Sequence, residues 1–159
     1  MFLQIKNTTI GYQKPLISEV NASLDFGDVC LLIGNNGVGK TTLIKSILHQ
    51  ISTLNGEILI HQKNIEKLTD KEIAEQIAVV FSKAQIPANY TTEDLISLGK
   101  FIHLPYYYQL EKEDLEDVNN IISQLKLEEY RTTSLQKLSD GNLQKAFIGR
   151  AYYAFRRRK

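Results

Sequence analysis

Eight consecutive residues combine side chains and a spacing that suit the binding of phosphate groups. They match the pattern G-x-x-x-x-G-K-[ST] at every fixed position. In this pattern the glycines let main-chain N–H groups converge on one oxyanion, the lysine reaches the β- and γ-phosphates, and the hydroxyl binds magnesium. The segment, called the P-loop below, consists of Gly34, Asn35, Asn36, Gly37, Val38, Gly39, Lys40 and Thr41, and Thr42 follows it.

The residues on either side of the P-loop have the character that such a site needs. Val29–Ile33 is a wholly apolar run, which predicts a buried strand, and Thr42–Leu48 has the pattern of a helix. A strand, a glycine-rich loop and a helix in this order place the positive end of the helix dipole at the bound anion. The alternative is a Gly/Asn-rich turn that merely precedes a helix. The strand, the loop, the Lys-Thr pair and the helix follow one another in the order that a P-loop requires, which argues against this alternative.

The composition is that of an ordinary soluble globular protein. The chain has 159 residues, which suits one domain, and 43% of them are hydrophobic and 23% charged. No apolar run has the length of a membrane span, and the first residues lack the layout of a signal peptide, so we expect a cytosolic protein. The single cysteine, Cys30, lies in the apolar run before the P-loop, which predicts a packed, inert thiol.

The net charge of +1 is unevenly distributed along the chain. Arg156, Arg157, Arg158 and Lys159 supply four cations, whereas the rest of the chain, with 15 cations and 18 acids, carries −3. A basic segment of this kind can bind nucleic acid or acidic lipid. Because the body is mildly acidic and no basic face with interleaved aromatic residues accompanies the segment, the pattern argues against nucleic-acid binding.

The first half of the sequence predicts strands and a helix in an α/β arrangement. Alternation of apolar and polar residues indicates antiparallel strands at the start, and a wholly apolar run further on indicates a strand buried on both faces. The predicted strands are Phe2–Ile10, Val20–Phe26, Glu57–Ile60 after a turn at Asn55-Gly56, and Ile77–Phe81, and a helix is predicted over Leu68–Glu75.

The second half predicts helices joined by irregular segments. The sequence indicates a loop over residues 82–90, a helix over Thr92–Leu98 with Thr91 or Thr92 near its cap, and an aromatic, irregular stretch over residues 99–110. Apolar residues at helical spacing then mark two amphipathic helices. Their apolar positions are Leu115, Val118, Ile121, Ile122 and Leu125 in one helix, and Leu143, Phe147, Ile148 and Ala151 in the other.

A second motif follows the helical stretch. Leu138-Ser139-Asp140-Gly141-Asn142 precedes the last predicted helix, and it resembles the signature of ABC-type ATPases, L-S-G-G-Q followed by a helix. The sequence departs from that signature at Asp140 and Asn142 but keeps Ser-x-Gly at the start of a helix. Alone the pentapeptide is typical of any serine-capped helix, whereas downstream of a P-loop it is specific.

The resemblance implies an α/β fold of the P-loop NTPase class and ABC type, covering the chain from Phe2 to about Ala151. Such a fold has an antiparallel β subdomain, a parallel core sheet that is only partial here because its C-terminal strands are missing, and a helical subdomain. The implied organisation is an incomplete ABC ATPase domain over 1–151 and an atypical basic tail over 152–159. The domain comprises a β subdomain and P-loop core over 1–81, a loop and helical subdomain over 82–138, and the signature with its helix over 138–151.

The resemblance also implies a mechanism with ATP and magnesium. Two copies of the domain, or this chain and a second ABC ATPase, pair head to tail. The P-loop of one and the signature residues Ser139, Gly141 and Asn142 of the other then enclose each ATP. Tyr12 holds the place of the aromatic residue that stacks on adenine in this family, with a surface tyrosine on a turn as the alternative. Thr41 would ligate the magnesium ion.

The segment Thr92–Lys100 and the residues after it, including His103 and Pro105, are similar to the subset of the family that serves importers of iron–siderophore, haem or cobalamin. This implies that the protein powers such an importer by ATP hydrolysis. Its partners would be integral membrane permease subunits, which would hold it at the inner face of the cell membrane. A soluble ABC ATPase without a membrane partner, or a nonfunctional remnant, are the alternatives.

The sequence departs from the family pattern at two places. The family carries a glutamine that contacts magnesium just after the strand matching Ile77–Phe81, where this chain has Ser82 and, further on, Gln85. Either residue, or neither, would take that role. The family also carries an Asp-Glu pair and a histidine after the signature helix, and neither follows that helix in these 159 residues. We interpret this as truncation or a frameshift, with a naturally short relative as the alternative. We therefore expect this chain to hydrolyse ATP negligibly.

Overall fold

The computed structural model describes residues 1–81, 89–103 and 110–156. The chain divides into two compact units, Met1–Gln76 and Ile77–Lys159, which we call the first and second units. The sequence analysis placed the corresponding boundary five residues later, after residue 81. Across the described ranges, no helix is both long and apolar enough to cross a bilayer.

The first unit is built on a four-stranded antiparallel sheet. Its strands are β1 (Leu3–Gly11), β2 (Pro15–Leu24), β3 (Asn55–Ile60) and β4 (Lys63–Asn64), arranged in the order β2-β1-β3-β4. In the register of the sheet, Leu3 of β1 pairs with Leu24 of β2 and with Ile60 of β3. Buried apolar side chains of β1 and β3 form the core of the sheet. β2, which contains most of the alternating run predicted over Val20–Phe26, has only exposed and half-buried residues.

Short helices complete the first unit. They are α1 (Lys40–Ile47), a 3-10 helix (Ile65–Lys67) and α2 (Asp70–Ala74), where the sequence predicted a helix. Thr69 caps α2 in a reciprocal capping box with Glu72. The Thr69 N–H and hydroxyl donate to the Glu72 carboxylate, and these bonds lower the pKa of Glu72 below the ordinary value of 4.5.

The second unit is helical. It contains α3 (Thr92–Ser97), α4 (Lys112–Gln124) and α5 (Asp140–Arg156), with 3-10 helices at Leu98–His103, Glu128–Tyr130 and Leu135–Lys137. Thr91 caps α3 in a capping box with Asp94, which settles the two capping positions considered above. The core of the unit consists of buried apolar residues of these helices and their connections: Leu95, Ile96, Val118, Ile121, Ile122, Leu127, Leu135, Ala146, Phe147 and Tyr153.

Two glycines let the helices of the second unit approach one another closely. A Cβ on Gly99 would lie 2.3 Å from the main-chain oxygen of Arg150 in α5, and a Cβ on Gly149 would lie 3.0 Å from Ile96 and Leu125 side-chain carbons. A larger residue at either position would require the neighbouring atoms to move, because the protein core is densely packed and contains few voids. The small residues therefore fix α5 against its neighbours.

A buried ion pair also joins these helices. Lys100 and Asp114 are both only 1% exposed, and the Lys100 ammonium contacts the Asp114 carboxylate. The Glu111 N–H donates to the same carboxylate at 3.0 Å, and the Tyr153 hydroxyl donates to the Asp114 carbonyl oxygen at 3.2 Å. The pair thus ties the 3-10 helix after α3 to the start of α4, and Tyr153 ties α5 to the same point.

We expect Lys100→Met to lower the free energy of unfolding by about 3–5 kcal/mol, because it leaves a buried carboxylate without its counter-ion. The matched control is Lys6→Met, which breaks a pair with Glu57 whose side chains are 51% and 41% exposed. That substitution should cost less than about 1 kcal/mol. Urea unfolding measures both values, and equal losses in the two variants would contradict the assignment.

Two predicted strands are not formed in the described residues. Val29, Leu31 and Ile33 are 97%, 79% and 81% exposed, and Ala78 and Phe81 are also exposed. The predictions of a buried strand over Val29–Ile33 and over Ile77–Phe81 are therefore wrong for this structure. Neither run pairs with any strand of the described sheet, so neither is buried on both faces as a core strand would be. In the second run only part of the side chains find a partner: Val80 packs against the core of the second unit.

Cys30 is affected by the same difference. We expected a packed thiol, and the structure places Cys30 at an exposed position within the unpaired run. That prediction is wrong because burial of the thiol depended on the strand that would have carried it.

The last helix is longer than predicted. It continues to Arg156, so residues 152–156, which the sequence analysis placed in a basic tail, are helical. Tyr153 is fully buried in the core of the second unit, which is why the helix extends this far.

Candidate phosphate-binding site

Two glycines give the P-loop its shape. Gly37 has φ +83° and Gly39 has φ +103°, and both lie in the left-handed region that side chains disfavour. Gly39 is also the N-cap residue of α1, so the chain turns from the loop into the helix at this residue. A Cβ here would lie 2.8 Å from Ile17 Cδ1 of β2. The left-handed φ therefore favours glycine at this position, and a methyl group would in addition require the side chains of Leu16 and Ile17 to shift.

Lys40 folds back over the loop that precedes it. Its ammonium nitrogen donates to the carbonyl oxygens of Gly34 at 2.6 Å and of Asn35 at 2.8 Å. Both acceptors are neutral, so these bonds fix the position of the ammonium without cancelling its charge. An ammonium has three donors, of which two have acceptors among the described residues, so a third could serve a ligand.

The start of α1 adds a second source of positive potential. No side chain of the described residues caps this end, and the first turn contains no acid. The first main-chain N–H groups of a helix lack partners within the helix, and the dipole gives them partial positive charge. An anion lying at the loop would satisfy them. The residues of the loop before Gly39 are exposed, so such a ligand has access.

The hydroxyl side chains at the start of α1 differ in exposure. Thr41 is exposed, whereas Thr42 is buried under the sheet. Thr41 could therefore supply one oxygen to a magnesium ion. One hydroxyl is enough, because this metal takes few protein ligands beside phosphate and water oxygens. In the part of the chain that the structure describes, no group of three His, Cys, Asp or Glu side chains could hold a metal. Ser82 and Gln85, our other candidates, lie outside the described residues.

Tyr12 lies in the short connection between β1 and β2 and is 63% exposed. The same hairpin carries Leu16 and Ile17, whose side chains approach Gly39 of the P-loop. The structure therefore brings the hairpin of Tyr12 to the base of the P-loop. Its exposed ring is accessible to a planar group, and its role toward adenine stays a prediction.

The signature residues form the start of α5. The Asn142 N–H donates to the Ser139 hydroxyl at 3.4 Å, and the Leu143 N–H donates to the Ser139 carbonyl at 2.9 Å. A Cβ on Gly141 would meet nothing within 4 Å, so packing within the chain does not require a glycine there. Ser139, Asp140 and Gly141 are exposed. The open space beside Gly141 suits close approach of an external group.

The second unit also contains a groove that the sequence analysis missed. It has a volume of about 550 Å³ and lies along α3, the 3-10 helix after it and the start of α4. Residues that line it include Tyr90, Glu93, Ser97, Leu98, Phe101 and Leu115. Arg131 pairs with Glu93 at 3.1 Å beside it. From its helical spacing we placed Leu115 on the apolar face of an amphipathic helix. The spacing alone could not show that this side chain is 43% exposed.

Comparison of the sequence with protein families matches residues 17–156 to the model of the ABC transporter family. A petrobactin import ATP-binding protein of Bacillus subtilis, YclP, is 32% identical over 148 residues, which cover 92% of this chain and 58% of that protein. An iron(3+)-hydroxamate import ATP-binding protein of the same organism, FhuC, is 28% identical over 94% of this chain and 56% of its own length. The chain thus spans a little over half the length of these relatives.

The fold agrees with that match. The crystal structure of a nucleotide-free ATP-binding cassette from an ABC transporter superposes with a TM-score of 0.78 at 28% identity. The alignment covers 96% of this chain and 65% of that structure. These comparisons confirm the fold class and the family resemblance that the P-loop and the signature suggested.

We expect Gly39→Ala to destabilise the protein more than Gly27→Ala does. Both glycines have positive φ, +103° and +89°, and share the cost of about 1–2 kcal/mol that a side chain pays there. Only at Gly39 does the new methyl group also collide with β2, whereas at Gly27 nothing lies within 4 Å. Thermal unfolding of the two variants measures the difference, and the same midpoint for both would show that the loop is not held by the sheet.

Proposed function

Since the chain belongs to the ABC transporter family, we propose that it is the ATP-binding subunit, or part of it, of an ABC importer. The observation that carries the proposal is the geometry of the P-loop. It is shaped by two left-handed glycines, holds the Lys40 ammonium against its own carbonyl oxygens and leads into an uncapped helix. All three features favour the binding of a polyphosphate ligand.

In this proposal the protein groups bind ATP in complementary ways. The main-chain N–H groups of the P-loop and of the first turn of α1 surround the phosphates, and Lys40 directs its remaining donor to the β- and γ-phosphates. The Thr41 hydroxyl would hold magnesium, which supplies charge neutralisation at the phosphates. Tyr12 would stack on the adenine, because its exposed ring belongs to the hairpin that holds the loop.

We further propose that the signature acts on the nucleotide of a second copy or of another ABC ATPase. The start of α5 offers the Ser139 hydroxyl, main-chain N–H groups and open space beside Gly141 to a γ-phosphate. Asn142, in the first turn of the helix, would contribute from the same end. Asp140 adds a negative charge in the first turn, which opposes an anion there and weakens this contact relative to a neutral residue.

The transported substrate and the membrane partner are also proposals. The names of the similar relatives refer to import of petrobactin and of iron(3+)-hydroxamate. We propose an iron–siderophore importer, with haem or cobalamin as the other members of the subset. Permease subunits would then hold the protein at the inner face of the membrane. The groove with Phe101 and Leu115 at its surface would receive a permease segment, because exposed apolar walls in a concave site favour a partner chain.

Hydrolysis needs groups that these 159 residues do not supply at the expected place. All three histidines precede the signature, and no Asp-Glu pair follows its helix. We therefore propose that these residues by themselves bind ATP and turn it over negligibly, since the sequence after the signature helix supplies no Asp-Glu pair to activate water.

Equilibrium binding of a fluorescent ATP analogue in the presence of magnesium tests the proposal. Lys40→Ala should weaken binding by about 10- to 100-fold, because a charge-assisted hydrogen bond contributes about 1.5–3 kcal/mol. Lys45→Ala is the matched control, since it removes a cation from the same helix beyond the P-loop. It should change the affinity by less than about twofold. Equal affinity of the wild-type chain and the Lys40 variant would overturn the proposal.

A further inference from the structure

We propose that Asn36 of the P-loop is a site of spontaneous deamidation, and that its conversion to an acid weakens the binding of phosphate groups. The reacting groups are the side-chain amide of Asn36 and the main-chain nitrogen of Gly37, the next residue. Water is the only other reactant. The effect on binding rests on the proposed function, whereas the modification itself does not.

An Asn-Gly pair reacts through its own main chain. The nitrogen of Gly37 loses its proton to solvent and attacks Cγ of Asn36, so that a new C–N bond closes a cyclic imide. The bond from Cγ to Nδ2 breaks, and the amide nitrogen leaves as ammonia. Water then opens the imide to aspartate or isoaspartate. Glycine favours the attack because it has no side chain to hinder the approach, and asparagine is for this reason a chemically labile residue.

The surroundings of Asn36 and Gly37 allow this attack. Both residues are exposed, so water has access to them, and a Cβ on Gly37 would meet nothing within 4 Å. Among the described residues, neither the Asn36 amide nor the Gly37 N–H has a hydrogen-bond partner. The bond that closes the turn around the pair, from the Val38 N–H to the Asn35 carbonyl oxygen, is 3.4 Å long, which is longer than usual. Little therefore opposes rotation of the main chain between the two residues.

A second Asn-Gly pair in the chain, Asn55-Gly56, serves as an internal comparison. Gly56 has φ +77° and Gly37 has φ +83°, and both pairs are exposed, so main-chain conformation at the glycine and access to water are alike. The second pair differs because it lies in β3, which is paired with β1. A Cβ on Gly56 would lie 2.3 Å from the Asn7 carbonyl oxygen of β1. Attack at Asn55 therefore requires local opening of the sheet, which attack in the P-loop does not.

Deamidation places a negative charge in a part of the sequence that has none. No acid occurs between Asp28 and Glu57. The Lys40 ammonium donates to the carbonyl oxygen of Asn35 at 2.8 Å, so a carboxylate at position 36 is attached to the residue next to the one that holds this cation. Such a carboxylate repels a bound phosphate and competes with it for the same donors. Isoaspartate in addition lengthens the main chain of the loop by one carbon atom, which displaces the N–H groups that follow.

Incubation of the 159-residue chain in mildly alkaline buffer, followed by tryptic digestion and mass spectrometry, tests the modification without any ligand. The two asparagines fall in separate peptides, because Lys40 and Lys45 lie between them. We expect aspartate and isoaspartate to accumulate at position 36 at least about tenfold faster than at position 55, since the sheet must open only at the second. Equal rates at the two positions, or a faster reaction at Asn55, would overturn the proposal.

Magnesium and ATP should protect Asn36 selectively. In the proposed function the main-chain N–H groups of the loop donate to phosphate, which holds the Gly37 nitrogen away from the side chain that it attacks. ATP at about 100 times its dissociation constant leaves about 1% of the sites free, so deamidation of Asn36 should slow by at least about tenfold. The rate at Asn55 should not change. Equal slowing at both positions would reduce the effect to general stabilisation and contradict the assignment to the loop.

Substitutions test the effect on binding of the fluorescent ATP analogue. Asn36→Asp carries the charge of the product and should weaken binding by about 10- to 100-fold. The matched control, Asn55→Asp, adds the same charge in β3 and should change the affinity by less than about twofold. Asn36→Gln reacts more slowly, because its longer side chain would have to close a larger ring. It should keep its initial affinity through an incubation that weakens binding by the wild-type chain. Thermal unfolding checks that each variant is folded.

The inferred modification and the proposed function fail in different ways. If the wild-type chain does not bind the ATP analogue, the proposed function is wrong and the effect of deamidation on binding is wrong with it. Mass spectrometry still decides whether Asn36 reacts selectively. If the wild-type chain binds the analogue and Asn36→Asp binds it equally well, the proposed function stands and the inferred effect of deamidation is wrong.

Discussion

The left-handed conformation of Gly39 is the constraint on which the candidate site depends. At this residue the chain leaves the loop and enters α1, and the missing side chain lets it lie against Ile17 of β2. The sheet therefore determines where the helix begins. The position of the helix in turn places Lys40 where its ammonium reaches the carbonyls of Gly34 and Asn35. The position of the Lys40 ammonium is thus determined by main-chain geometry and by the contact of the loop with β2.

The second unit is held together by a different kind of interaction. Its apolar core is ordinary, but the Lys100–Asp114 pair is fully buried and receives additional hydrogen bonds at both the carboxylate and the carbonyl of Asp114. A buried pair of this kind adds little net stability over apolar residues, whereas loss of either partner is costly. It therefore restricts the packing of the 3-10 helix after α3 against α4 to the arrangement in which both charges are satisfied, and both of these elements also line the groove.

The sequence predicted the features that depend on local chemistry. The P-loop, a cap at Thr91 or Thr92 and the periodicity of α4 are decided within a few residues, and the structure contains the loop, the cap at Thr91 and the helix. The strands at Val29–Ile33 and Ile77–Phe81 could not be predicted in this way. An apolar run indicates that burial of its side chains would be favourable, but it does not indicate whether a neighbouring strand is present to bury them. The Lys100–Asp114 pair was missed for a related reason, since nothing local distinguishes a buried cation from a solvated one.

The same distinction between local and distant requirements separates the two halves of ATPase chemistry. Phosphate binding by a P-loop uses consecutive main-chain N–H groups, one lysine and the start of one helix, all within Gly34–Thr42. The side chains of Leu16 and Ile17 in β2 add a contact with this loop from a distant part of the sequence. In-line hydrolysis requires in addition a carboxylate, a metal shell and a second phosphate contact in fixed positions around the same phosphate. These come from residues far apart in sequence. The geometry of a phosphate-binding loop is therefore set independently of the groups that activate water.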